Sequence, residues 1–533
     1  MRFRISTRGW IVVALLLLAG ALIMPSEAVR LSGQTRAPLE LPLLVLLLLA
    51  ARGRWFAAAR WATTALFAGL VLLKAADLGA FAAFGRSFNP AVDLPLVAAG
   101  WNLLSGTIGT VAAFAAVAGI VLLWVGLAGL LFHALGAFAR LGLPHRRRLR
   151  QAGIGLAALL LVVLTAGAAL QTPVPVQATT GPFLLDHARA MVRSLEDRTR
   201  FAAIIADDPI ATLGPAPLFE ALRGKDVVVV FVESYGRSVL EDPRYSEATT
   251  ARLTGLEDNL AARGFVMASG WLASPTVGGQ SWLAHGALLS GLPTTDGQRY
   301  AMMIDSPRPT LNRLFAQAGW RTLAVMPGIT MAWPEAAYFG YREVYAARDL
   351  GYRGLPFGWV TMPDQYTLSA FESRRGARPR EPVMAEIALL SSHAPWTPIA
   401  DILPWETIGD GSGFTAEQRR GDTPERVWRD PETVRTAYAA SIDYTLATLG
   451  GFIERHGGNT VFVILGDHQP AAIVTGPGAS RDVPVHIVAD DPAVIKRIRS
   501  WNWTPGLRPA GNAPVWPMEG FRERFVRSFG SPG

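Results

Sequence analysis

The chain has 533 residues, half of them hydrophobic, no cysteine, and a formal net charge of +8. The lack of Cys excludes disulfides, thiolate metal sites and a cysteine nucleophile. Residues 1–170 hold 15 Lys+Arg against 4 Asp+Glu, which leaves 35 against 38 for residues 171–533. The basic balance therefore belongs to loops between apolar runs, and it argues against nucleic acid as a partner.

In chain order, apolar runs occupy about residues 9–24, 37–51, 61–84, 108–135 and 151–170. A bilayer-spanning helix needs about 20 apolar residues, so these runs predict a bundle of about five transmembrane helices over residues 1–170, the first two short. The cationic start would suit a signal peptide, but four further apolar runs follow it and favour an anchor. Alternate loops carry Arg2, Arg4 and Arg8, then Arg52, Arg54 and Arg60, then Arg140, Arg146, Arg147, Arg148 and Arg150. The opposite loops carry Arg30, Arg36 and Arg86. The positive-inside rule then predicts a multi-pass membrane protein with its C-terminal domain outside the cytoplasm. Within the third run Lys74 and Asp77 stand three residues apart, a spacing that lets them pair on one helix face.

The stretch QTPVPVQATTGP after the last run is read as a linker, because its prolines disfavour helix. The following segment, Asp186 to Ile205, alternates polar and apolar positions at helical spacing and is read as an interfacial or connecting helix, so residues 171–224 form a linker region. From Lys225 the texture changes to short β-branched runs separated by helical segments: DVVVVFVES, RTLAVMPG, MAEIALLSS, TVFVILGDH and VPVHIVAD. Continuous rather than alternating hydrophobicity predicts parallel strands covered on both faces, an α/β sandwich over residues 225–533. Ligands in such sheets collect beyond the carboxyl ends of strands, where Glu233, Asp467 and His468 stand. Two carboxylates and an imidazole suit a divalent cation, and the hydroxyl-rich segment SPTVGGQSWLAHGALLSGLP supplies a nucleophile that such a cation activates.

These motifs resemble the sulfatase and alkaline-phosphatase superfamily, and the layout of five spans plus an external domain is similar to lipoteichoic acid synthase and related phosphoglycerol or phosphoethanolamine transferases. SWLAHGALLSG, Ser281 to Gly291, lies over the sulfatase signature with Ser281 on the nucleophile, Leu283 at the Pro position and His285 where that signature has Arg. No Cys exists to become formylglycine, so phosphoryl chemistry by a plain hydroxyl fits better than sulfate-ester hydrolysis. Thr276 remains the alternative nucleophile, with Ser281 then only capping the helix. GDHQP resembles the family's metal-binding Gly-Asp-His, which implies Glu233, Ser281, Asp467 and His468 as ligands of one divalent ion, Mn2+ first and Mg2+ or Zn2+ next. SSHAPW is similar to the family's Ser-x-His-x-Pro-aromatic turn and makes His393 a catalytic, phosphate-contacting residue. Trp333 matches a headgroup-contacting Trp, while Glu335 stands where phosphoglycerol transferases carry Arg. His285 is a further substrate contact, His486 reads as core, and Asp364 is either a family turn residue or a helix cap.

The expected activity is transfer of a phosphorylated headgroup from a phospholipid to an envelope glycan, glycolipid or lipid through a covalent Ser or Thr intermediate. Hydrolysis at the same site is the alternative. A catalytically silent envelope-binding domain is the third reading, and it predicts damaged ligands where this sequence has intact ones.

Overall fold

The computed structural model describes residues 6–24, 37–84, 87–94, 96–171, 176–178, 180–211, 218–357, 361–376 and 381–530. The chain divides into two compact units, Met1–Leu195 and Glu196–Gly533. The boundary falls inside the helix Thr180–Ala206, within residues 171–224.

The first unit contains α1 (Thr7–Ile23), α2 (Glu40–Ala50), α3 (Arg54–Phe84), α4 (Leu96–Ile108), α5 (Thr110–Leu135), α6 (Leu143–Leu170) and most of α7 (Thr180–Ala206). Three helical stretches, Gly53–Phe81, Thr110–Arg140 and Leu143–Leu170, are long and apolar enough to cross a membrane, while α1 and α2 are apolar but shorter. Helix α5 leaves Val111, Phe114, Ile120 and Leu122 exposed, an arrangement costly in water and ordinary in lipid. α4 was not read as a separate helix.

Two cations close helix ends. Lys74 Nζ donates to the carbonyls of Ala21, Leu22 and Met24 at 3.1, 2.9 and 2.9 Å, at the C-terminus of α1. Arg146 donates to Leu49 and Ala51 carbonyls at 2.7 and 2.6 Å, at the C-terminus of α2. A cation there satisfies orphan carbonyls and the negative end of the helix dipole. Asp77 accepts from the Phe88 amide at 3.0 Å and lies 3.3 Å from His187 Nε2. The expected Lys74–Asp77 pairing is thus replaced by separate partners for each. Arg2, Arg4, Arg30, Arg36 and Arg86 lie outside the described residues.

In the second unit, nine strands among the described residues form one sheet. They are β1 (Asp226–Val232), β2 (Val266–Ala273), β3 (Arg321–Met326), β4 (Glu343–Ala346), β5 (Val383–Leu389), β6 (Thr460–Gly466), β7 (Asp482–Ala489), β8 (Thr504–Pro505) and β9 (Val515–Pro517). The order is β8-β2-β7-β6-β1-β5-β3-β4, with β9 also on β2. Strands β6, β1, β5, β3 and β4 are mutually parallel. VPVHIVAD was read as parallel, but β7 runs antiparallel to both β6 and β2. A strand covered on both faces reads as continuously apolar in either direction, so burial does not encode orientation.

Alternate residues of the strands feed two cores. Val228, Val230 and Val232 face one side with α8 (Ser246–Ala262), α10 (Asp364–Arg375) and α11 (Pro431–His456). Val227, Val229 and Phe231 face the other with α9 (Ser281–Ser290) and α12 (Gly520–Phe529). Both faces are covered, which leaves the carboxyl ends of the parallel strands as the place for polar groups.

Candidate active site

β1 and β6 end level, with Val232 opposite Gly466, so Glu233 and Asp467 leave adjacent strands side by side. The Asp467 amide donates to Val232 O at 3.3 Å and the Glu233 amide to Leu389 O at 3.1 Å, prolonging the sheet into the site. Gly466 is required here: a Cβ at that position would lie 1.8 Å from the Tyr235 carbonyl oxygen. Ser234 turns the chain at φ 58°, and its amide and that of His468 both donate to Asp467 Oδ1, at 2.8 and 2.7 Å. Ser392 and Tyr438 hydroxyls fix the carbonyls of Glu233 and Ser234 at 2.6 and 2.9 Å.

The hydroxyl-rich segment is docked on this corner. Val277 bridges to Gln469, and the Gly278 amide donates to Gln469 O at 2.8 Å. Gly278, Gly279 and Gln280 then take φ 73°, 147° and 63°. A left-handed non-glycine residue directly before a candidate nucleophile is the kind of local strain that functional sites retain. The turn delivers Ser281 as the first residue of α9, with its Oγ 3.0 Å from Glu233 Oε2 and 3.3 Å from His468 Nε2.

His468 Nε2 also lies 3.2 Å from Glu233 Oε1 and 3.6 Å from Asp467 Oδ2. One ligand atom from each of Glu233, Asp467 and His468 falls within 4.8 Å of the others, and all three residues are buried. His468 Nδ1 is 2.8 Å from Gln469 O; a carbonyl only accepts, so Nδ1 carries a proton and Nε2 is the atom turned to the carboxylates. Two carboxylates and an oriented imidazole beside a hydroxyl form a donor set that fits a divalent cation.

Electrostatics agree with that fit. Burial would raise Glu233, but the neighbouring imidazoles of His393 and His468 hold it well below the ordinary carboxylate range. Asp467 is raised to about 7, by burial first and Glu233 second. Burial would lower His468, yet Asp467 and Glu233 push it up to about 9. Confined negative charge next to a retained proton is what a cation can replace.

The remaining sequence candidates separate. Thr276 Oγ1 donates to Gly279 O at 2.7 Å and so stabilises the turn before Ser281. Gln280 occupies the cap position of α9 without a side-chain cap bond, so Ser281 is not spent as a helix cap. His393 Nε2 lies 3.9 Å from Glu233 Oε1, with Nδ1 2.6 Å from Ala394 O. Asp364 is not the cap of its own helix. Fully buried, it accepts from the Leu390 and Ser391 amides at 2.7 and 3.0 Å and from Thr445 Oγ1 at 2.7 Å, anchoring the turn that carries His393. His486 is buried between Ser269 and Tyr235, at 2.7 and 3.2 Å, away from these groups.

Two residues beside the site, Glu386 and Tyr341, have no counterpart among the sequence candidates. His285 Nδ1 lies 2.5 Å from Glu386 Oε1, and Tyr341 OH donates to Glu386 Oε2. Trp333 packs against Tyr341 with ring centroids 5.8 Å apart. The available signal was the acid in MAEIALL, a carboxylate interrupting an otherwise apolar buried strand.

Residues 225–484 match the family model described as Sulfatase. No curated protein matches the chain significantly. Among solved structures, the integral membrane lipooligosaccharide phosphoethanolamine transferase EptA from Neisseria meningitidis is 14% identical, over 97% of this chain and 94% of that one, with a TM-score of 0.49. The lipoteichoic acid synthase LtaP from Listeria monocytogenes is 14% identical, over 57% and 71%, with a TM-score of 0.37. The C-terminal periplasmic domain of EptC from Escherichia coli is 14% identical, over 60% and 84%, with a TM-score of 0.39.

Proposed function

We propose that the protein, whose residues 225–484 match the Sulfatase family model, is a membrane-anchored phosphotransferase. It moves a phosphorylated headgroup of the phosphoglycerol or phosphoethanolamine type from a phospholipid to an envelope glycan, glycolipid or lipid through a covalent Ser281 intermediate. The observation that carries this reading is the approach of Ser281 Oγ to Glu233 and His468, residues 48 and 187 positions away, at 3.0 and 3.3 Å. The apolar helices of the same chain support a lipid donor, because anchoring the site at the bilayer raises the effective concentration of lipid.

Glu233, Asp467, His468 and Ser281 are the groups that would hold a divalent cation. When bound, Mn2+, Mg2+ or Zn2+ supplies charge that lowers the hydroxyl pKa and offsets charge on phosphoryl oxygens. Ser281 Oγ, which donates to Glu233 Oε2, bonds to phosphorus as its proton is lost to solvent, and the bond from phosphorus to the lipid glycerol oxygen breaks. Protonated His393 gives its Nε2 proton to that oxygen, so diacylglycerol leaves neutral. In the second half, an acceptor hydroxyl attacks the phospho-serine, the bond from phosphorus to Ser281 Oγ breaks, the acceptor's proton returns to His393, and Ser281 is reprotonated from solvent. The position of Ser281 at the start of α9 adds unpaired amides and the positive helix end to the phosphate side.

The test is intact-mass measurement of the full-length protein in detergent after incubation with mixed phospholipids. A headgroup-phosphate adduct is expected on wild type and on Thr276→Ala, and none on Ser281→Ala, whose turnover should fall by about four orders of magnitude or more. Turnover persisting in Ser281→Ala would remove that residue from the role. Diacylglycerol together with a modified acceptor marks transfer, and free headgroup phosphate marks hydrolysis.

A further inference from the structure

We propose that His285, oriented by the buried Glu386, determines headgroup specificity by reading a hydrogen-bond donor two or three carbons from the phosphate. The inference rests on the phosphotransferase reading above and adds to it the residue that selects what is transferred.

The position follows from the helix. Ser281 and His285 are four residues apart on α9, hence on one face and about 6 Å apart along the axis, a span that a two- or three-carbon alcohol covers. The His285 ring stacks on Phe231, with centroids 3.7 Å apart and planes within 16°. Phe231 precedes Glu233 by two residues and shares its side of β1, so His285 lies between the nucleophile's helix and the strand that delivers the first acid.

The orientation follows from Glu386. This carboxylate sits in the middle of β5, level with Val229 of β1, and its side chain is 1% exposed. A buried acid in an apolar strand is costly, and an aliphatic residue there would pack at least as well. Its two oxygens are taken by His285 Nδ1 and by the Tyr341 hydroxyl, with no Lys or Arg bonded to it among the described residues. The carboxylate therefore holds a proton on Nδ1 and turns Nε2 elsewhere, as an acid behind a catalytic or metal-binding histidine does. Among the described residues Nε2 makes no hydrogen bond, and the side chain is 14% exposed. Tyr341 continues this wall to Trp333. An acceptor nitrogen on an aromatic wall suits a hydroxyl or an ammonium group at the far end of a short headgroup.

A competition among three lipids in mixed micelles with the full-length protein tests this, read as the rate of Ser281 adduct formation. Phosphatidylethanolamine carries an ammonium donor, phosphatidylglycerol hydroxyl donors, and phosphatidylethanol neither. Wild type should prefer one of the first two over phosphatidylethanol by about a hundredfold or more, because a site built around a hydrogen bond rejects the analogue that lacks it. Which of the two wins separates ammonium from hydroxyl. His285→Leu should bring the ratio within about tenfold, because the donor-bearing lipid loses more rate than phosphatidylethanol does. His285→Gln keeps a donor for Glu386 and an acceptor, so it should fold and retain part of the preference. An unchanged ratio in both variants, or equal loss on all three lipids in both, overturns the proposal. A wild-type protein that forms no Ser281 adduct from any lipid overturns the phosphotransferase reading itself.

Discussion

Asp467 and His468 are held by their neighbours in protonation states that a cation has to displace. Asp467 is raised from 3.8 to about 7 and His468 from 6.5 to about 9. Each folded-state value lies above its unfolded value. Each group therefore contributes stability that is full below the unfolded pKa and lost as pH rises through the folded one. For Asp467 the loss runs from 3.8 to about 7, and for His468 from 6.5 to about 9. Glu233, held low, has the opposite sign, and its contribution is lost only as pH falls into the acid range. A cation needs the Asp467 carboxylate and the bare Nε2 of His468, so binding releases these protons and strengthens with pH. Chelator-treated protein should thus lose stability between about pH 4 and pH 9, while the rise in Tm on adding Mn2+ grows over the same interval. Thermal unfolding in detergent with chelator or Mn2+ checks this. A rise in Tm that is flat with pH, or largest at the acid end, would take these two residues out of the ligand set.

The turns after β1 and β6 show why a short motif carries so much of the site. Gly466 is the residue at which two strand ends touch, since a Cβ there would meet the Tyr235 backbone. Gly466→Ala should cost about 1–3 kcal/mol of domain stability, as overpacking does. It should also weaken metal binding, because the displaced backbone carries Glu233 and Ser234, whose amide holds Asp467. Urea unfolding and a cation titration of the variant measure both, and wild-type values in each would show that the corner tolerates the methyl group. This geometry also explains what could be read in advance. β1, β3, β5 and β6 announced themselves through β-branched runs, and their carboxyl ends pointed to Glu233, Asp467 and His468. β2 was missed because Ala268, Ser269 and Gly270 dilute its apolar signal, although Trp271 and Leu272 are fully buried. Spacing to Gly291 favours Ser281 over Thr276 and leaves Thr276 as the alternative, and the bond of Thr276 to Gly279 is visible only in the folded turn. Glu386 belongs to another strand than His285, and their pairing is a matter of register that no local pattern encodes.

At the scale of the whole chain, the first unit sorts its cations by end. Arg8 lies 3.3 Å from His145, Arg60 Nε donates to the Phe132 carbonyl at 2.7 Å, and Arg146 reaches Ala51 at 2.6 Å. The starts of α1, α3 and α6 therefore meet the ends of α2 and α5, so consecutive apolar helices alternate in direction. Lys74 marks the other end, where α1 finishes. Residues 52–60 and 140–150, the Arg-rich loops, thus share one end, which the positive-inside rule assigns to the cytoplasm. The same rule gives the expectation that residues 196–533 lie outside the cytoplasm. The chain has no cysteine, so single introduced thiols report sidedness without background. Glu425 and Arg147 are both exposed. Glu425→Cys should react with a membrane-impermeant maleimide in spheroplasts with intact inner membranes, and Arg147→Cys only after the membrane is opened. The reverse pattern would place the catalytic residues in the cytoplasm, where an envelope acceptor is out of reach.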